Sequence, residues 1–194
     1  MYAFLRQVVL GVSVAALLAA CGSSAPTIKD RMDPLTGATV TRATVPLVLY
    51  KDNSARAAYA RDFVYVGPLR VNRMGTYSYF LWLGIWSSID NADISAERDG
   101  FDSIVIFADG EPLQLELQGW TLASIGVSEQ VYGKPTASAA DAYFAVTLDQ
   151  IRVIAEARDI RLQGTGLHAN AYDLWDNQKR AQSSIRDFLR YLYD

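Results

Sequence analysis

Cysteine and histidine are almost missing from this chain: of 194 residues, only Cys21 and His168 represent them. A single thiol allows no intrachain disulfide, so the fold has to be held by its core. The same scarcity removes the nitrogen and sulfur ligands that zinc prefers. It also leaves His168 as the one base a histidine triad would have, and no G-x-S-x-G elbow accompanies any serine. His168 follows the Gly164–Gly166 turn, where a surface or structural histidine is the simpler reading. An excess of positive charge is missing as well, with 18 Lys and Arg against 21 Asp and Glu. That balance gives no basic footprint for nucleic acid.

What is present is an ordinary globular composition, 51% apolar and 20% charged, enough apolar surface to offset the entropy of ordering. Residues 1–20, MYAFLRQVVLGVSVAALLAA, have a minimal positive start at Arg6 and an apolar stretch from Val8 to Leu18. That stretch is short for a membrane-crossing helix, which needs roughly 20 residues, but suits a signal-peptide core. Removing residues 1–20 takes away only Arg6, so the net charge of −3 becomes −4.

The four residues Leu18-Ala19-Ala20-Cys21 resemble the bacterial lipobox at every position. The resemblance implies a diacylglyceryl group on the Cys21 sulfur, cleavage before Cys21, and acylation (palmitate) of the new amino group. It makes the protein a lipoprotein attached to a membrane of the cell envelope. Gly22 stands where an aspartate favours inner-membrane retention in enterobacterial lipoproteins, which points to the periplasmic face of the outer membrane. Residues 21–39, rich in Gly, Ser, Pro, Thr and charge, read as a lipidated flexible tether with a reach of roughly 20–25 Å. Residues 40–194 are then expected to form one globular domain.

Within that domain the pattern is mainly β. Thr39 to Tyr50 is β-branched, with Pro46 suggesting an edge or bulge. Ser54 to Arg61 suits a helical turn, and Phe63 to Val71 reads as a strand broken by Gly67-Pro68. From Tyr77 to Trp86 both faces are apolar, Leu81, Leu83 and Ile85 on one side and Phe80, Trp82 and Trp86 on the other. This predicts a strand covered twice. Asp109-Gly110 between strand-like runs predicts a hairpin over Ser103–Gln118, wet on the face of Gln114, Glu116 and Gln118. A further strand is expected at Trp120–Val127, followed by a loop to Ala140.

The C-terminal part changes period. A strand at Ala142–Val146 leads into the capping-box pattern Thr147-x-x-Gln150 and a short helix. Two strands follow, Ile160–Gln163 and His168–Leu174. Ala181, Ile185, Phe188, Leu189 and Leu192 then form the stripe of an amphipathic C-terminal helix. This tail is similar to the C-terminal regions of uncharacterised bacterial envelope proteins, a likeness that implies no activity. The expected fold is α+β, an antiparallel sheet or sandwich with two helices.

No catalytic residue, metal ligand or cofactor is assigned. Asp90, Asn91 and Asp93, with Glu97, Asp99 and Asp102 behind them, are the best oxygen-ligand candidates, but EF-hand spacing is absent and a solvated loop is the plainer reading. The aromatic run Tyr77, Tyr79, Phe80, Trp82, Trp86 suits either a core or a surface for sugar or lipid. Three readings of function follow. The first is a non-enzymatic envelope lipoprotein with a protein partner, the second a module holding a lipid or small apolar ligand, the third an anchored hydrolase of envelope polymers. The third needs two carboxylates about 5–9.5 Å apart.

Overall fold

A computed structural model describes residues 26–89, 98–165 and 170–193. Cys21 and the lipobox, the acidic residues 90–97 and His168 lie outside the described residues.

The Asp109-Gly110 pair turns as its residue types predict. Both residues have positive φ, 50° and 88°, which closes a two-residue hairpin between β6 (Ser103–Ala108) and β7 (Glu111–Gly119). Their register pairs Ala108 with Glu111. The Asp109 carboxylate also accepts from the backbone N–H groups of Arg158 and Asp159, at 2.9 and 2.8 Å, tying the turn to a neighbouring loop.

The other strands are β1 (Ile28–Met32), β2 (Thr39–Ala43), β3 (Leu47–Asp52), β4 (Arg61–Arg73), β5 (Thr76–Ser87), β8 (Ala140–Ala145), β9 (Ile160–Gly164) and β10 (Ala171–Leu174). Every pairing is antiparallel. Eight strands close on themselves in the order β4-β3-β10-β9-β6-β7-β8-β5, with β5 back on β4. The mainly β, antiparallel expectation therefore holds, and the sheet is a barrel rather than a sandwich. Closure leaves these strands no free edges.

Alternation fills the barrel. Leu49, Val64, Leu83, Ile104, Ile106, Ala142, Phe144 and Leu162 point inward and are buried. Arg42, Gln114, Glu116 and Arg161 lie on outer surfaces. An apolar interior with charge outside is the reverse of the transmembrane-barrel pattern. Among the described residues, no helix is long and apolar enough to cross a membrane. Helices α1 (Leu148–Glu156) and α2 (Lys179–Tyr193) follow β8 and β10 and plug the same barrel end with Ile151, Ile154, Ile185 and Phe188. The Thr147–Gln150 capping box forms as expected.

Several local expectations are corrected. The tether does not run to Thr39, because Ile28–Met32 is already a strand, paired with β2 from Ile28↔Ala43 to Met32↔Thr39. Gly67-Pro68 does not break β4. The two residues sit where β4 exchanges one neighbour for another, β3 pairing through Val66 and β2 from Leu69 onward. Proline's missing N–H therefore costs no ladder bond on that side. Gly67 is required by Tyr132, since a Cβ there would come within 2.4 Å of the ring. The stretch expected as a helical turn, Ser54 to Arg61, holds turns at residues 54–56 and 58–59, and Arg61 already begins β4. Trp120–Val127 holds a 3-10 turn, Leu122–Ile125, instead of a strand.

The segment 121–139, irregular beyond that 3-10 turn, is partly buried. Ile125, Val127, Val131 and Tyr132 bury against Trp82, Tyr143, Leu69 and Val71 on the outer wall, making a second core. Asp33 fastens this strap. Its carboxylate, fully buried, accepts from the Ser128 N–H (2.6 Å) and hydroxyl (2.7 Å), the Glu129 N–H (3.1 Å) and the Thr36 N–H (3.0 Å). Burial alone pushes its pKa up, but these donors outweigh it and hold the carboxyl well below the usual carboxylate range. A depressed folded pKa adds stability that is complete above the unfolded value, roughly 4, and is lost as pH falls toward the folded one. Asp33→Asn should therefore lower the urea midpoint at neutral pH, and the gap should shrink as the pH is taken below about 4. A gap that stays constant on acidification would contradict this.

Candidate functional site

The outward positions of β3, β4 and β5 place aromatics side by side. Tyr50, Phe63, Tyr65 and Trp86 occupy such positions, and Trp175 joins them just after β10. Phe63 and Trp86 stack at 4.5 Å with planes 16° apart, and Tyr65 meets Trp86 edge-on at 5.9 Å. Trp175 meets Tyr50 edge-on at 4.8 Å and Phe63 at 5.7 Å. The Arg61 guanidinium lies over Tyr50 (5.4 Å) and Trp175 (5.1 Å), and its Nε donates to Asp52 at 2.9 Å. All five rings are half-buried, so each keeps an exposed face or edge on a rigid wall.

Two hollows adjoin this shelf. One, about 110 Å³, is lined by Tyr50, Arg61, Trp175 and Asp176. The other, about 420 Å³, is lined by Asp52, Ser54, Ala58, Tyr59 and Arg61. The Trp86 indole N–H has no hydrogen-bond partner among the described residues. Burial pushes the Tyr65 phenol pKa up, so it stays neutral at ordinary pH. Flat rings and an arginine held side by side on one wall make a surface suited to contact with another molecule.

The sequence-derived candidates separate around this arrangement. Of the aromatic run, Trp86 belongs to the shelf, while Phe80 and Trp82 are in the second core. Trp82 is fully buried, stacked on Tyr132 at 4.5 Å, with its Nε1–H donating to Asp141 at 2.8 Å. Its ring is packed within the second core. Tyr77 and Tyr79 border a separate open groove of about 510 Å³ with Arg73, Gln118 and Ser124. Asp99 and Asp102 are exposed. Among the described residues, no three His, Cys, Asp or Glu side chains cluster closely enough to hold a metal ion. Tyr50, Arg61, Phe63, Tyr65 and Trp175 were not singled out by sequence reasoning. The i, i+2 spacing of Phe63 and Tyr65 was the one available signal, and it does not say that Trp175, over a hundred residues away, stands beside them.

No protein-family model, no curated protein and no solved structure matches this chain.

Proposed function

We propose that this protein is a lipid-anchored envelope lipoprotein, tethered through Cys21 to the periplasmic face of the outer membrane, whose barrel binds a protein partner and catalyses no reaction. The observation that carries the partner role is the Tyr50–Phe63–Trp86–Trp175 shelf with Arg61 above it. Trp, Tyr and Arg on a preformed wall supply contact area at little ordering cost, the composition of interface hot spots. A ligand held inside the barrel is the weaker alternative, because Leu49, Leu83, Phe144 and Phe188 occupy the interior.

The test is crosslinking in intact cells, followed by recovery of the full chain from membranes. A reproducible neighbour is expected, and Arg61→Glu with Trp175→Ala should reduce its recovery roughly tenfold or more, as loss of hot-spot residues does. Absence of a neighbour, or capture unchanged by the double variant, would reject the partner role. For the anchor, Cys21→Ser should leave the chain unlipidated and uncut. A variant that still migrates as the mature membrane-bound form would reject the lipobox reading.

A further inference from the structure

Three of the most exposed large apolar side chains of the described residues gather at one place, while Tyr59, 95% exposed, stands at the other end of the fold. Leu35, in the turn between β1 and β2, is 82% exposed, Met74 in the β4–β5 turn is fully exposed, and Met32 at the end of β1 is 68% exposed. The two turns are neighbours, because Met32 pairs with Thr39 and Thr39 pairs with Asn72, two residues before Met74. Tyr77, half-exposed, stands on the same side of the second turn.

Folding does not account for these choices. Turn positions favour Gly, Asn, Asp, Ser and Pro. Met74 has φ of 51°, a left-handed conformation that costs a methionine more than an asparagine or glycine, and its side chain packs on nothing in return. Positive charge surrounds the tips. Arg31 adjoins Met32 and Arg73 adjoins Met74, and behind them Lys29 and Arg42 line a groove of about 240 Å³ with Arg31, Gln130 and Val131. Lys29 and Arg42 are direct cross-strand partners, an arrangement of like charges that weakens a sheet unless an anion lies between them. Arg31 pairs with Glu129 at 2.8 Å and donates to the Gln130 carbonyl at 3.1 Å, Arg73 donates to the Ile125 carbonyl at 2.9 Å, and Arg42 lies over the Tyr132 ring. Each guanidinium is thus held in place with donors to spare, while the nearby Asp33 carboxylate is turned inward and bonded.

We propose that these two hairpin tips dip into the surface of a bilayer containing anionic phospholipid, with Leu35, Met74 and Met32 entering the interface and the flanking cations meeting phosphate. The idea rests on the anchor reading for its direction of approach. Pro26 and Thr27 are already tied to Thr44, each carbonyl accepting at 2.8 Å. The chain from Cys21 to Pro26 therefore spans at most about 18 Å, against about 20 Å from Pro26 to Met32. An anchor at Cys21 comes near the plane of the tips when that segment runs extended toward them. Two convex turns cannot build the broad flat contact a second copy would need, but they suit a deformable lipid surface. In this pose Arg61, at the opposite end of the thirteen-residue β4, is held roughly 40 Å away from the lipid, which frees the aromatic shelf for a partner.

The test uses the mature chain, residues 21–194, with Cys21→Ser, so that no acyl group contributes. It contains every described element. Leu35→Cys then supplies a single thiol for an environment-sensitive fluorophore, and Tyr59→Cys, 95% exposed at the far end, supplies the control. Vesicles of phosphatidylethanolamine with phosphatidylglycerol should blue-shift the label at position 35, brominated lipid should quench it, and position 59 should not respond. Neutral phosphatidylcholine vesicles should act far more weakly. In the unlabelled Cys21→Ser chain, Leu35→Asp with Met74→Asp should weaken partition onto the anionic vesicles about tenfold while leaving the urea midpoint unchanged. An unresponsive label at 35, an equal response at 59, or burial of position 35 by self-association without vesicles would overturn the proposal. Because no lipid is attached in this assay, its outcome is independent of whether Cys21 is acylated in the cell.

Discussion

Trp82→Ala is expected to destabilise the protein by roughly 3–5 kcal/mol, the range for removing a buried tryptophan from a close-packed site. Three losses coincide there. The indole is fully buried, so its apolar burial goes and a cavity remains. The face of Tyr132, stacked at 4.5 Å, loses its partner, and with it the strap of residues 121–139 loses one of its attachments to the barrel wall. The Asp141 carboxylate, 8% exposed, loses the indole donor at 2.8 Å and keeps the longer contacts of Gln130 (3.3 Å) and Lys134 (3.4 Å). Trp82→Phe separates these contributions, since it keeps a ring for Tyr132 but removes the N–H. It should cost about 1.5–3 kcal/mol, the usual worth of a hydrogen bond to a charged group. Urea unfolding of both variants measures the difference. A Trp82→Ala cost below about 1 kcal/mol would mean that the strap holds without the stack.

Phe188→Ala should cost a similar amount, about 3–5 kcal/mol, but from the other side of the wall. Phe188 is fully buried on α2 and enters the barrel end beside Ile151, Ile185 and Leu47. Helix α2 reads as strongly amphipathic, and its attachment depends on that one stripe, Ala181, Ile185, Phe188 and Leu189. The Ser184 hydroxyl adds a polar tie, donating to the Thr27 carbonyl at 2.9 Å and accepting from the Val45 N–H at 3.3 Å. Because the lost group is a plug, hydrogen exchange distinguishes local from global effects. Faster exchange is expected across α2 and α1 before the barrel strands, since the helices can lift while the closed sheet persists. Uniform acceleration everywhere would show that the barrel and its plug unfold as one unit.

Much of the local structure is legible in the residues themselves, for physical reasons that act over a few positions. Asp109-Gly110 tolerates positive φ, so the hairpin follows. Thr147 and Gln150 satisfy each other's backbone donors, so α1 starts where it does. Alternation along β5 correctly divides Leu81, Leu83 and Ile85 from Phe80, Trp82 and Trp86. The errors have a common origin too. IKDRM has no apolar rhythm, and it becomes β1 because it pairs with β2, with α2 bonding Asp30 and the Asp33-bound strap beside its end. Pro68 marks a break in any local reading, and only the change of neighbour from β3 to β2 shows why the strand runs through it.

Local residue types fix the Asp109-Gly110 turn, the Thr147 cap, the sidedness of the strands and the helix stripe, because each depends on residues within a turn or a pleat of one another. Tertiary structure alone decided that Leu49 pairs with Leu174 and Ile104 with Gly164, and so that the sheet closes. It also decided that Tyr50, Phe63, Trp86 and Trp175 share one surface, and that Leu35 and Met74 stand together at one edge. Side-chain alternation tells a strand which face is apolar but not which distant strand will lie beside it. That choice is made by the whole set of pairings that can fill one interior at once.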